Sequence, residues 1–247
     1  MNNNIHNLYE KYKDIEKLGW IKSEKNRKGI SGVMFEELIG INPENFEIPD
    51  FNDIEIKVRN NEPTGSITLF SATPDSYLFE IKRLQENYGY PDKNYPQYKV
   101  LQATTSCISP KRVSNKYYFK LDVDHKKNIV TLIIFNNILN IIDRKTAWSF
   151  DLLKEKLERK LKYLCLITSH TRYNENNLYV KYNGIKFFKL KDFKTFIHLI
   201  ENGTIKISFN IGIYKTEKNF GKTFDHGTNF TIPRYAIAKL FTKININ

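Results

Sequence analysis

The stretch Pro49-Asp50-Phe51-Asn52-Asp53-Ile54-Glu55-Ile56-Lys57, continued by Val58, decides how this chain is read. Ile54, Ile56 and Val58 alternate with Asp53, Glu55 and Lys57. Side chains on a strand have a period of two. The alternation therefore predicts a strand with its aliphatic residues in the core and Glu55 and Lys57 together on the other face. An acid and an amine spaced like this also suit an edge strand with a solvated charged face. What lies around them points further. Phe46 to Phe51 reads as a short strand, and Asn52-Asp53 is turn-prone, so a hairpin is expected with Asp50 at its bend. The odd offset between Asp50 and Glu55 keeps them off one face of a straight strand. A bend or bulge must bring them together, and such bends often re-aim side chains at active sites. Carboxylates beside an ammonium at a strand's end suit a divalent cation and an attacking water.

Upstream, Gly29 to Gly40 reads as one short helix. Ser31 is the expected N-cap, Gly40 the expected stop, and Val33, Met34 and Leu38 the apolar stripe. Glu36 or Glu37 then faces outward or toward the cation. An earlier helix, from about Ile5 to Gly19, is amphipathic and charged. The stretch from Leu84 to Lys116 has breakers and few apolar pairs, so most of it is expected to be loop. Its tyrosines and lysines suit contact with a sugar–phosphate backbone.

Further on, Tyr117–Val123, Ile129–Phe135 and Ile138–Asp143 read as a meander of strands. Ser149 caps an expected helix to about Tyr163, with Leu153, Leu157 and Leu161 at its core and no chemistry of its own. A buried strand follows at Tyr163–Thr168, then a helix at about Asp192–Glu201. The clearest strand comes next. Ile205, Ile207, Phe209, Ile211 and Ile213 face one side, while Lys206, Ser208, Asn210, Gly212 and Tyr214 face the other. With Thr228–Ile232 it is expected to form a two-stranded ribbon joined by a basic loop carrying Lys215, Lys218 and Lys222. A ribbon with one polar face fits the DNA major groove, where base edges are distinguishable.

These blocks carry a resemblance. The run Gly32 to Gly40, Pro49-Asp50-Phe51, Asp53 to Lys57 and Leu69-Phe70-Ser71 resembles the MutH-like branch of the PD-(D/E)XK nucleases. Within that branch it looks most like the MvaI/BcnI type of restriction endonuclease. Tyr118 to Asp124, Trp148 to Asp151, Lys160-Leu161-Lys162-Tyr163, Ile200 to Gly203 and Asp225-His226-Gly227-Thr228 continue it in order, so it spans nearly the whole chain. The resemblance implies an α+β, restriction-endonuclease-like domain over residues 1–247, with a mixed central sheet flanked by helices. Its catalytic part would end near residue 170, and a C-terminal DNA-recognition region would follow. Asp50, Glu55 and the Ile56 carbonyl would hold Mg²⁺. Lys57 would orient the water and stabilise developing charge, and Glu36, with Glu37 as its rival, would complete the outer shell or a second metal site. Asn210, Lys215, Lys222, Asp225, His226 and Thr231 would contact DNA. Asn210 and Thr231 stand where related enzymes tend to carry arginine, and Phe224 where some carry histidine. Arginine favours guanine and asparagine favours adenine, so the recognition site is expected to differ.

Composition agrees with a DNA enzyme. The 247 residues suit one large domain or two small ones, and a 40% hydrophobic content supports a real core. A formal net charge of +12 favours a polyanionic partner. Two separated cysteines, Cys107 and Cys165, argue against a disulfide scaffold or a cysteine zinc site. No run of apolar residues is long enough to span a membrane, and Met1-Asn2-Asn3-Asn4 lacks a secretory pattern, so a cytoplasmic protein is expected. The expected activity is Mg²⁺-dependent cleavage of double-stranded DNA at a short, nearly palindromic site. The expected agent is a monomer that cuts one strand at a time and shares its system, but no stable complex, with a cognate methyltransferase. The rival readings are a mismatch-repair-type nicking enzyme and a catalytically silent DNA-binding protein.

Overall fold

The structure is a computed structural model that describes residues 2–27, 29–41, 48–60, 65–76 and 79–246. In chain order it begins with α1 (Asn3–Lys17), β1 (Ile21–Lys22), α2 (Ile30–Leu38), β2 (Ile54–Asn60), β3 (Ser66–Ser71), α3 (Glu80–Tyr88), β4 (Tyr90–Pro91) and β5 (Lys99–Thr105). It continues with β6 (Lys111–Arg112), β7 (Tyr118–Asp124), β8 (Ile129–Phe135), β9 (Ile141–Asp143), β10 (Ala147–Ser149), α4 (Phe150–Leu161), β11 (Tyr163–Asn174) and β12 (Asn177–Leu190). It ends with α5 (Phe193–Glu201), β13 (Lys206–Ile213), β14 (Thr223–Asp225), β15 (Asn229–Pro233), α6 (Ile237–Leu240) and β16 (Phe241–Ile244). The chain forms two compact units that interleave in sequence. One comprises residues 1–65, 157–191 and 237–247, the other 66–156 and 192–236. The boundary expected near residue 170 falls inside β11, in the first unit.

In the first unit, one mixed sheet runs β1-β12-β11-β2, with β16 also paired to β12. β2 lies parallel to β11, with Glu55 opposite Leu164, and the other pairings are antiparallel. Ile54, Ile56 and Val58 enter a core shared with Ile5, Leu8, Tyr12 and Ile15 of α1 and with Met34 and Phe35 of α2. The period-two expectation for β2 thus holds. α1 and α2 sit about where periodicity puts them, but α2 differs in detail. Its N-cap is Gly29 at φ +81°, not Ser31. Ser31 lies inside the helix, and its carbonyl accepts the Tyr182 hydroxyl at 2.7 Å. The buried stripe is Ile30, Met34 and Phe35, with Leu38 41% exposed, because Phe35 packs edge-on against Tyr182. Gly40 does end the helix. At φ +81° it lets its own N–H reach the Glu37 carbonyl and lets Ile41 N–H reach the Glu36 carbonyl.

The second unit holds two sheets. One is the expected meander, ordered β10-β8-β7-β6 with β9 beside β8. The other has the order β3-β15-β13-β5-β4, with β14 also on β13. Two expectations fail here. The pair of strands at 205–214 and 228–232 does form, but it is no two-stranded ribbon, since β13 is a central strand with β5 on its far side. Ile207, Phe209 and Ile211 are at most 2% exposed, and an apolar face so complete needs a wide sheet to help bury it. The stretch 84–116 is not mostly loop, for it contributes the end of α3 and all of β4, β5 and β6. β5 is hard to see because its apolar residues Val100 and Leu101 are adjacent rather than alternating. α4 and α5 form as expected. Ser149 Oγ accepts from Leu152 N–H at 3.2 Å, and Asp192 caps Thr195 N–H at 2.7 Å.

Candidate functional site

The site is built on the turn ahead of β2. Phe51 and Ile54 exchange backbone hydrogen bonds of 3.0 and 2.9 Å, closing a two-residue turn around Asn52-Asp53. Asn52 takes φ +53°, a conformation asparagine tolerates better than most residues. Asp53 anchors the turn by accepting Asn4 Nδ2 at 2.9 Å and pairing with Lys162 Nζ at 3.3 Å. The fold-back sets Asp50 alongside β2, where its Oδ2 accepts Ile56 N–H at 2.7 Å. This is the bend that the odd spacing required. The strand expected to lead into it starts at Phe46, which with residue 47 lies outside the described residues, and Ile48 to Asp50 is a bend. In a strand, the N–H and C=O of one residue point the same way. The Ile56 carbonyl therefore shares the open edge of β2 with Asp50, away from β11.

Glu55 is fully buried, and Lys57 lies on its face of β2 with a side chain 20% exposed. Lys57 Nζ pairs with Glu55 Oε1, and Lys160 Nζ approaches the same oxygen at 3.4 Å. Glu55 Oε2 is buried with no hydrogen-bond partner among the described residues. Burial raises the Glu55 pKa above the ordinary carboxylate range, and Asp50 repulsion adds to it against the pull of Lys57 and Lys160. Glu36 is raised too, first by burial and then by Asp50, with Glu55 contributing and Lys57 opposing. Glu36 therefore belongs electrostatically to this cluster. Glu37 does not. It is exposed on the next position of α2, beside Lys22 and Lys25.

Lys160 had not been expected here. It sits in the last turn of α4, one residue before the buried Leu161. Helical periodicity alone marks α4 as packing, and nothing in it reveals a neighbour more than a hundred positions away. The signal that existed was the block Lys160-Leu161-Lys162-Tyr163, which leads straight into the strand parallel to β2.

A buried carboxylate oxygen with no partner among the described residues, beside an Asp50 charge that raises the pKa of Glu55 and Glu36, is what a bound cation would relieve. The donors are hard oxygens, which suit magnesium, calcium or manganese rather than zinc. Among the described residues no three His, Cys, Asp or Glu side chains lie close enough together to hold a metal by themselves. Two carboxylates and one carbonyl fit a cation that keeps several of its waters, as magnesium does.

The expected DNA-contacting residues lie in the second unit. Asn210 is half-buried on β13, opposite Gln102 of β5. His226 N–H donates to the Asn210 carbonyl at 3.0 Å, and the His226 ring lies over Gly212 and packs edge-on against Phe224. Thr231 faces the same side from β15, opposite Lys206. Asp225 differs. It pairs with Ile211, so it leaves its strand on the opposite face, and its Oδ1 accepts Gly227 N–H at 2.9 Å. Burial raises its pKa. Lys215 is exposed near the Tyr95 ring, and Lys222 Nζ reaches Asn219 Oδ1 at 3.1 Å. No helix among the described residues is long and apolar enough to cross a membrane.

The geometry can be set beside known proteins. Residues 9–241 match the model of the MvaI/BcnI restriction endonuclease family. The structure of restriction endonuclease MvaI in complex with its cognate DNA is similar over 99% of this chain and 98% of that one, at 31% identity and a TM-score of 0.90. MvaI in the absence of DNA matches over the same shares at 32% identity and a TM-score of 0.64. No curated protein matches the chain. With nearly its whole length matched, this chain belongs to the MvaI/BcnI restriction endonuclease family, the site-specific deoxyribonucleases of that type.

Proposed function

We propose that this enzyme hydrolyses double-stranded DNA at a short, nearly palindromic site, with Mg²⁺, using Asp50, Glu55, the Ile56 carbonyl and Lys57. The observation that carries the reading is the buried Glu55 carboxylate, with one oxygen met by Lys57 and Lys160 and the other without a partner among the described residues. Cleaving a phosphodiester brings a nucleophile toward an anion and adds negative charge in the transition state. A bound divalent cation supplies the neutralising charge and lowers the pKa of a water. Ile56 N–H holds Asp50 Oδ2, so Asp50 Oδ1 and Glu55 Oε2 would be the carboxylate oxygens that hold the cation. Lys57, fixed on Glu55, donates to the attacking water and to the phosphate oxygen that gains charge. Glu36, set back on α2, would accept hydrogen bonds from water around the cation.

The face carrying Asn210, His226 and Thr231 contacts base edges, and Lys215 and Lys222 contact phosphates. Asp225 acts through the turn at Gly227, which it holds in place. The enzyme works as a monomer in the cytoplasm, cuts the two strands in successive events and is paired functionally with a methyltransferase.

Asp50→Ala and Lys57→Ala should each abolish cleavage while leaving sequence-specific duplex binding in calcium nearly intact. Plasmid digestion and gel-shift titration read both. A Lys57→Ala variant that still cuts would remove that residue from the chemistry. Open circles with no later linear product would favour a nicking enzyme.

A further inference from the structure

The polar face of the β3-β15-β13-β5-β4 sheet is not uniform. Its rows differ in whether their side chains already have partners. In one row, Thr104 and Ser208 hydrogen-bond each other at 2.8 Å. At another place Ser71 donates to Asn229 at 2.6 Å. The row between β5, β13 and the end of β14 is different. Gln102 is the register partner of Asn210, and His226 flanks Asn210 on the other side through its backbone hydrogen bond. Gln102 is exposed and Asn210 half-buried, yet neither carboxamide has a side-chain hydrogen bond among the described residues. Tyr90 donates only to the Gln102 backbone carbonyl, at 3.3 Å. The other face is closed by Leu101, Phe209 and Ile211, so the row can meet a ligand only on this side.

Two adjacent carboxamides with free donors and acceptors have a specific complement. A carboxamide pairs bidentately with the N6 and N7 edge of adenine and matches no other base edge as well. Cross-strand neighbours have Cβ atoms about 5 Å apart, and base pairs step by about 3.4 Å along a strand. Glutamine is one methylene longer than asparagine, and that reach allows both to meet successive base pairs. We propose that Gln102 is a specificity-determining residue which, with Asn210, reads adjacent adenine-bearing base pairs in the major groove. The inference rests on the proposed DNA-cleaving function and names a residue and a base preference that the function alone does not.

The test selects duplexes from a randomised pool on the whole protein in calcium, then sequences the bound fraction. The wild type should select a site containing A·T pairs at two successive positions. Asn210→Ala should relax one of these, and Gln102→Ala its neighbour, by about 5- to 150-fold in base discrimination. Gln102→Glu, which only accepts hydrogen bonds, should move the preference at that position toward a cytosine-bearing pair. Replacing the selected adenine by 7-deazaadenine should weaken the wild type and leave Gln102→Ala unchanged. If the wild type selects a site and both Gln102 variants select it with the same weights at every position, this inference is overturned while the DNA reading stands. If Gln102→Ala relaxes a G·C position, it is likewise overturned. If the wild type selects no sequence at all, the DNA reading falls and takes the inference with it.

Discussion

Glu55 is an ionisable group with none of its surface exposed to bulk solvent, and its surroundings decide what that achieves. A buried carboxylate alone would stay protonated at neutral pH. Lys57 and Lys160 both pull on Oε1 and favour ionisation, while burial and Asp50 oppose it. The two ammoniums divide the work. Lys57 comes from the same strand face as Glu55 and Lys160 from the last turn of α4, and both meet Glu55 Oε1. Removing Lys160 should therefore slow the reaction without ending it. Lys160→Ala is expected to lower the single-turnover cleavage rate about 10- to 100-fold, with duplex binding in calcium unchanged and partial rescue by Lys160→Arg. An unaltered rate would show that Lys160 has no part in setting Glu55. The pair Glu55 and Lys57 was legible in the sequence because they are two positions apart on one strand. Lys160 was not, because its neighbourhood is created by the parallel pairing of β11 with β2.

At the scale of elements, the two-residue turn of Phe51 to Ile54 does as much for the site as β2 does. It turns an unfavourable spacing into a close approach of Asp50 to the Ile56 amide. Asn52 at φ +53° is its hinge. A β-branched residue resists this conformation, so Asn52→Val is expected to cost about 1–2 kcal/mol. Cleavage should fall further than that loss of stability accounts for, because Asp50 no longer sits on Ile56 N–H. Asn52→Gly should keep both properties. Denaturant unfolding and cleavage assays on the two variants check this, and equal activity of Asn52→Val would mean that the turn does not set Asp50. The same scale explains what could be read from sequence. β13 announced itself because Ile207, Phe209 and Ile211 alternate strictly with Ser208, Asn210 and Gly212. Its neighbour β5 stayed hidden because Gln102 and Thr104 look like loop residues until the polar face of the sheet gives them a reason. β12 was missed as well. Lys181, Lys186 and Lys189 and the glycine at 184 disguise a long strand that β11 pairs along nearly all its length.

For the molecule as a whole, a net charge of +12 is compatible with binding DNA but works against compactness, since like charges repel. Stability must come from the cores and from a few well-paired buried charges. The clearest such network is in the second unit. Arg83 donates to Glu80 Oε1 at 2.6 Å and to Asp143 Oδ2 at 2.5 Å, and Asp143 also accepts the Tyr88 hydroxyl at 2.5 Å and Lys145 N–H at 2.7 Å. Burial pushes the Asp143 pKa up, but these donors outweigh it and hold the carboxyl below its ordinary value. A carboxylate with a depressed folded pKa adds stability above its unfolded pKa, about 3.9, and that contribution is lost as pH falls through the folded pKa. Asp143→Asn leaves Arg83 short of a charge partner and should cost about 3 kcal/mol at pH 7. As pH falls below about 4 toward the lowered folded pKa, the wild type progressively loses this contribution, so the gap between the two proteins should narrow and close only once Asp143 is protonated in the folded state. Urea midpoints of both, measured from pH 7 down toward pH 3, give the comparison. A gap that stays constant over this range would mean that Asp143 stabilises the unit by its shape and neutral hydrogen bonds, not by its charge.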